Sequence, residues 1–132
     1  MPNKPSAKEW LTHANHDLNG AILMYKANHY TDTISYVVHQ AIEKSLKSIL
    51  AYNNIAIKKS HNLRELYELV TSDIFILNDD ELYILAIATT YYTKQRYPTP
   101  HKKLPSKEEI KNVISFSKQL LSDICKNLDI SI

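Results

Sequence analysis

The two residues best suited to chemistry in this sequence are the ends of Arg96-Tyr-Pro-Thr-Pro-His101, with four residues between them. A guanidinium keeps its positive charge and offers a planar fork of donors, so it can bind a phosphate at two points. A histidine can move a proton near neutral pH. RNA cleavage by 2′-hydroxyl attack needs a base, an acid and positive charge at the phosphorane, and this pair supplies much of that without a metal. Chance also produces this spacing, and Arg96 would then pair with a carboxylate while His101 lies in a solvated loop.

A second polar group lies on the stretch 36–50, whose apolar side chains recur in steps of three and four. That spacing is typical of one face of an α-helix. The opposite face carries His39, Glu43, Lys44 and Lys47. His39 and Glu43 are four residues apart and therefore share a face. They could form a polar wall that positions a phosphate or the Arg–His pair; alternatively, they form an exposed edge with His39 half buried.

Other polar residues have roles that the sequence leaves open. His13 and His16 are three residues apart, but no third ligand is placed, and we predict no metal and no other cofactor. His61, which precedes the cap Asn62, could bond the end of the third helix or face the site. Several basic residues could form a rim suited to an RNA backbone, or remain ordinary solvated side chains: Lys58, Lys59, Arg64, Lys94, Arg96, Lys102, Lys103 and Lys107.

The composition favours a helical fold. A length of 132 residues fits one domain spanning 1–132, and a single glycine is too few for the turns of a sheet protein. The single Cys125 excludes an internal disulfide and a cysteine zinc site, and suggests a reducing compartment. No apolar run approaches the ~20 residues of a membrane helix, and the N-terminal residues lack a signal-peptide core. We therefore expect a cytoplasmic protein without a membrane partner.

Helix signals divide the chain into four long helices and one short one. Capping boxes are predicted at Ser6–Glu9 and Ser106–Glu109, Thr31 or Asp32 is expected to cap the second helix, and Asn62 the short third. The loop 97–105 holds three of the five prolines. The pattern predicts an all-α, up-and-down four-helix bundle with an additional short helix. The predicted helices run from Ser6 to about Asn28, from Thr33 to Tyr52, from Leu63 to about Val70, from about Asp79 to before Pro98, and from Ser106 to about Leu128.

Tyrosine is unusually frequent, with nine residues. Its ring is apolar and its hydroxyl polar, so it is common at protein interfaces. We expect a dimer interface to bury one or more of five of them: Tyr30, Tyr36, Tyr91, Tyr92 and Tyr97.

Several of these segments together resemble the HEPN domain family, the higher-eukaryote and prokaryote nucleotide-binding domain. The most specific is His39-Gln-Ala-Ile-Glu-Lys-Ser-Leu-Lys-Ser-Ile-Leu50, which is followed by His61-Asn-Leu and by Arg96-Tyr-Pro. Trp10, with the apolar residues after it, occupies the matching place in the first helix. The resemblance covers nearly the whole chain and implies a four- or five-helix bundle that is often a symmetric homodimer.

Many members of the family resemble metal-independent ribonucleases that act as toxins or in other defence systems. They are often encoded beside a minimal nucleotidyltransferase antitoxin. Their site is an arginine and a histidine separated by a short spacer, paired across a dimer. The resemblance implies that Arg96 would stabilise the scissile phosphate and His101 would act as acid or base, supported by His39, Glu43 and Lys47.

Other relatives with an Arg-Tyr-Pro ending are non-catalytic and bind nucleotides or partner proteins. Here Tyr97 follows the arginine where active members usually have a polar residue, and Pro98 and Pro100 lie inside the motif. The alternative is therefore a HEPN module that binds a nucleotide or a nucleotidyltransferase through the same residues, Tyr97 included.

Overall fold

A computed structural model describes residues 1–57, 59–70, 76–94, 98 and 103–132 of the chain. These residues form five α-helices and no β-strand, which confirms the predicted all-α fold. None of the helices in this part of the chain is long and apolar enough to cross a membrane. The helices are α1 Lys4–Lys26, α2 Thr31–Tyr52, α3 Leu63–Leu69, α4 Asp79–Lys94 and α5 Lys107–Leu128.

Contacts between helix ends show that the four long helices alternate in direction. The Asn3 amide, before α1, donates to the Tyr52 carbonyl at the end of α2 over 2.9 Å. At the other end of the bundle, the Tyr91 hydroxyl near the end of α4 donates to Glu109 Oε2 in the first turn of α5 over 2.5 Å. Lys107, at the start of α5, donates to Asn28 after α1. The arrangement is the predicted up-and-down bundle.

Helix α2 lies at the centre and contacts all four other helices. Of its 22 residues, 14 are buried, so almost no side of it faces solvent. Its neighbour α1 contributes a stripe in alternating steps of four and three, in which small residues let the helices approach and leucines fill the space between. That stripe is Ala7, Leu11, Ala14, Leu18 and Ala21.

The start of α1 differs from the prediction. The helix begins at Lys4, and Asn3 Oδ1 accepts from the Ser6 amide over 3.2 Å. Ser6 therefore lies inside the first turn, and the predicted Ser6–Glu9 capping box is wrong. Pro5 is the physical reason, because its fixed φ suits the first helical turn, where its missing N–H leaves no bond unmade.

The start of α2 also corrects the sequence interpretation. Thr31 and Asp32 lie within the first turn, and Tyr30 precedes the helix without a side-chain capping bond. Asp32 Oδ1 instead accepts from the amide of the adjacent Thr33 over 3.0 Å. Helix α1 ends at Lys26, two residues short of the predicted Asn28, which has a left-handed φ of 57°.

The remaining caps are local and mostly follow the prediction. Asn62 Oδ1 accepts from the Glu65 amide over 3.1 Å, and Ser106 Oγ accepts from the Glu109 amide over 3.0 Å. At α4 the sequence interpretation missed a reciprocal capping box. Asn78 Oδ1 accepts from the Glu81 amide over 2.8 Å, and Glu81 Oε1 accepts from the Asn78 amide over 3.0 Å.

The cap of α1 can be tested with two substitutions. Asn3→Ala should lower the free energy of unfolding by about 1 kcal/mol, because the Ser6 amide loses its acceptor. Ser6→Ala is the matched control and should leave stability within about 0.5 kcal/mol, as expected for a residue that is not the cap. Urea unfolding followed by circular dichroism measures both. A larger loss for Ser6→Ala than for Asn3→Ala would restore the capping box predicted from the sequence.

Candidate functional site

The polar residues predicted on the second helix lie inside the protein. His39 is 0% exposed, Glu43 4% and Lys47 6%. The alternative of an exposed helix edge with a half-buried histidine is therefore wrong. Together with His61 and Tyr92 these side chains form one connected group, which we call the histidine–glutamate cluster.

Glu43 is the centre of the cluster. Its Oε2 accepts from Lys47 Nζ over 3.1 Å, one helical turn along α2, and its Oε1 accepts from His61 Nδ1 over 2.8 Å. A buried carboxylate needs such partners, because leaving water without them would cost several kcal/mol. The Lys47 ammonium also lies 5.8 Å from the centroid of the Trp10 ring of α1, which is a cation–π distance.

His39 holds the main chain of the loop that carries His61. Its Nε2 donates to the His61 carbonyl over 2.9 Å, and its Nδ1 lies 3.2 Å from Gln40 Oε1. Burial lowers the pKa of His39 from its ordinary value of 6.5, although the hydrogen bond to His61 and the nearby Glu43 charge oppose that shift. His39 is therefore neutral at pH 7 and acts as a structural donor.

Tyr92 connects the cluster to the end of α4. Its ring stacks on the His61 ring with centroids 3.8 Å apart and an interplanar angle of 11°. It also lies 5.6 Å from the His39 ring and 6.0 Å from the Tyr36 ring. The cluster is therefore assembled from α2, the loop before α3 and the end of α4.

The other residues predicted for the site do not belong to the described cluster. Arg96, Tyr97 and His101 lie outside the described residues. Lys44 does not join the cluster; its ammonium pairs with Asp17 Oδ2 of α1 at 2.6 Å, where both side chains are partly exposed.

The two histidines of α1 have rings 5.9 Å apart. Over the described part of the chain, no group of three or more histidine, cysteine or acidic residues could hold a metal ion. Of the basic residues proposed as a rim, Arg64 pairs with Glu68 at 3.5 Å and Lys107 binds Asn28. Lys58 and Lys102, like Arg96, are outside the described residues.

Two members of the site were given other roles by the sequence. Trp10 was placed in the first helix by the family resemblance, and Tyr92 was expected at a dimer interface. Only their partners reveal their place, because Lys47 is 37 positions from Trp10 in the sequence. The neighbouring Tyr91 is 1% exposed inside the chain, which leaves no surface for an interface. Burial and its bond to Glu109 raise the pKa of the Tyr91 phenol.

Comparison with known proteins identifies the family. The model of the HEPN domain matches residues 7–128. The chain belongs to the HEPN domain family. The resemblance seen in the sequence segments is thereby confirmed.

Two solved structures share the HEPN fold of this chain. TT1696 from Thermus thermophilus is 21% identical, with a TM-score of 0.79 over 92% of this chain and 97% of that one. ST0689, described as an archaeal HEPN homologue, is 18% identical, with a TM-score of 0.71 over the same shares of 92% and 97%. No curated protein matches the sequence.

The burial of His39 makes stability depend on pH. Because the pKa of His39 is lowered by folding, the unfolded chain takes up this proton first as pH falls below about 6.5, and stability is lost. His39→Gln keeps a side-chain N–H for the His61 carbonyl but does not titrate. We expect the loss of thermal stability between about pH 7.5 and 5.5 to be smaller in this variant than in the wild type.

The matched control for this experiment is His16→Gln, which alters an exposed histidine of α1. Its thermal unfolding should show the same pH dependence as the wild type. Equal pH dependence in His39→Gln and the wild type would contradict the assignment of this effect to His39.

The buried ion pair can be tested by a double-mutant cycle. Glu43→Gln should destabilise the protein by about 3–5 kcal/mol, because it leaves the buried Lys47 ammonium without its counter-charge. Adding Lys47→Met should recover part of that loss, because the uncompensated charge is then gone. Lys44→Met at the partly exposed Asp17 pair is the control and should cost at most about 1 kcal/mol. Additive losses in guanidinium unfolding would contradict the coupling.

Proposed function

We propose that this HEPN protein is a metal-independent endoribonuclease toxin of a toxin–antitoxin or defence system. Arg96 and His101 are its proposed catalytic pair, and His39, Glu43 and Lys47 support them. The observation that carries the proposal is the buried histidine–glutamate cluster beside the end of α4. Tyr92 of that cluster precedes Arg96 by four residues, a length of chain that spans at most about 14 Å.

The energetics of the cluster support a functional role. Lys47 and Glu43 are each less than 10% exposed, and a buried ion pair is often less stabilising than apolar residues of the same volume. A bundle that needed only to fold would be served as well by leucine and methionine there. Charged groups held at such a cost are frequent at functional sites.

The proposed reaction is attack of an RNA 2′-oxygen on the adjacent phosphorus. A base removes the 2′-hydroxyl proton, the P–O5′ bond breaks, and an acid protonates the departing 5′-oxygen. The products are a 2′,3′-cyclic phosphate and a 5′-hydroxyl. Arg96 would stabilise the charge of the phosphorane, as positioned cations do in phosphoryl transfer, and His101 would supply a proton transfer.

A homodimer and an antitoxin partner belong to the same proposal. HEPN domains often dimerise, and a symmetric dimer would bring two Arg–His pairs together. Tyr30 is 72% exposed in the single chain and is available for such an interface. A minimal nucleotidyltransferase is the proposed partner that restrains the toxin.

The decisive test is RNA cleavage by the purified protein in EDTA. The wild type should cleave RNA and leave 2′,3′-cyclic phosphate ends, while Arg96→Ala and His101→Ala should each lose activity by about 100-fold or more. The same variants should no longer inhibit growth. His16→Ala, which alters an exposed residue of α1, is the control and should retain activity. Full activity in both Arg96→Ala and His101→Ala would overturn the assigned pair.

A second candidate function is supported by the stack of Tyr92 on His61. The His61 side chain is 40% exposed, and aromatic faces of this kind bind nucleobases. In this alternative the protein is a non-catalytic module that binds a nucleotide or a nucleotidyltransferase. Absence of cleavage by the wild type, together with ATP or GTP binding in calorimetry, would favour it.

A further inference from the structure

His61 has the surroundings of a proton-transfer residue. Its Nδ1 is 2.8 Å from Glu43 Oε1, and Glu43 is in turn paired with Lys47 at 3.1 Å. We propose that His61 is the general base of the ribonuclease site and that Glu43 positions it. This inference rests on the function proposed above and adds to it a catalytic residue on another loop.

The bond to Glu43 fixes the tautomer of His61. A carboxylate held by Lys47 can only accept, so Nδ1 must carry the hydrogen of the neutral ring. The lone pair is then on Nε2, the nitrogen that faces away from Glu43. When Nε2 takes up a proton, the adjacent carboxylate stabilises the resulting imidazolium, as the carboxylate of a hydrolase triad does.

Three contacts hold His61 in one orientation. Glu43 holds the ring edge, His39 Nε2 donates to the His61 carbonyl over 2.9 Å, and Tyr92 stacks on the ring at 3.8 Å. A catalytic side chain needs this kind of support, because an error of about 1 Å in its position can cost roughly 100-fold in rate.

The contacts at the start of α3 argue against a capping role for His61. Two of the first-turn amides of that helix are bonded by other side chains. Asn62 Oδ1 accepts from the Glu65 amide over 3.1 Å, and Thr89 Oγ1 accepts from the Leu63 amide over 3.2 Å. His61 is therefore not the cap of α3, which was one of its two predicted roles.

His61 is also the member of the Lys47–Glu43–His61 row that reaches solvent. Its side chain is 40% exposed, whereas those of Glu43 and Lys47 are 6% and 7% exposed. Part of the imidazole is therefore open to solvent, whereas the carboxylate is not. Glu43 can act only through His61, which makes it a positioning residue.

The reaction needs two proton transfers, and Arg96 cannot supply either because its guanidinium stays protonated. In the proposed step, His61 Nε2 takes the 2′-hydroxyl proton as the 2′-oxygen bonds to phosphorus. The P–O5′ bond breaks, and His101 in its protonated form donates to the 5′-oxygen.

The test compares two substitutions of His61 with the wild type on an RNA oligonucleotide in EDTA. His61→Asn keeps a side-chain amide that can donate to Glu43 but cannot act as a base, and His61→Ala removes both functions. We expect kcat/KM to fall by about 10²- to 10⁴-fold in both variants. Added imidazole should restore part of the activity of His61→Ala. His16→Asn is the matched control and should cleave as the wild type does.

The outcomes distinguish failure of the role of His61 from failure of the proposed ribonuclease function. Thermal unfolding of His61→Asn near the wild-type midpoint shows that lost activity is not lost structure. Wild-type cleavage that persists in His61→Asn would overturn the role of His61 and leave the ribonuclease intact. A loss in His61→Ala that imidazole does not repair would likewise overturn the assignment as base. A wild type that cleaves no RNA would overturn the proposed function and this inference with it.

Discussion

The carboxylate of Glu43 sets the strongest constraint on this bundle, because it is a charge placed among the apolar side chains of its central helix. It requires a cation and further donors, and Lys47 and His61 meet that requirement. The contacts that follow from it tie α2 to the loop before α3, to α1 through Trp10 and to α4 through Tyr92. Removing the charge would therefore loosen several elements at once.

Helix α2 contacts the other four helices, so its polar residues His39, Glu43 and Lys47 are buried away from water. The apolar side chains give the bundle its stability, and the polar row gives one region of the interior a defined geometry. Neutral His39 illustrates this division of roles. It does not carry charge to the site but fixes the main chain beneath His61.

The parts of the fold that depend on near neighbours could be predicted from the sequence. The caps at Asn62 and Ser106 were predicted because each side chain bonds an amide three residues away. The error at Ser6 arose because Asn3 also lies three residues before an amide, and Pro5 shifts the helix start in its favour. Helix count and direction followed from periodicity and loop length.

The site was only partly predictable. The spacing of His39, Glu43 and Lys47 placed them on one face, but not on a buried one. Their burial depends on His61, 18 residues from Glu43, and on Tyr92, which comes from another helix. Local sequence patterns do not predict contacts between residues so far apart in the chain. The resemblance to HEPN domains pointed to the segments that carry Glu43 and His61, whereas the contacts of Trp10 and Tyr92 required three-dimensional geometry.

The hydrogen bond between Tyr91 and Glu109 has a consequence for how this protein can vary. It joins the two ends of the segment that carries Arg96 and His101, and the Tyr91 end is buried. Once the ends of a loop are held, doubling its length adds only about 0.6 kcal/mol of closure entropy. Insertions and deletions between these anchors therefore change the free energy of folding only slightly. The number of residues between the arginine and the histidine can therefore change while the contacts among the helices are kept.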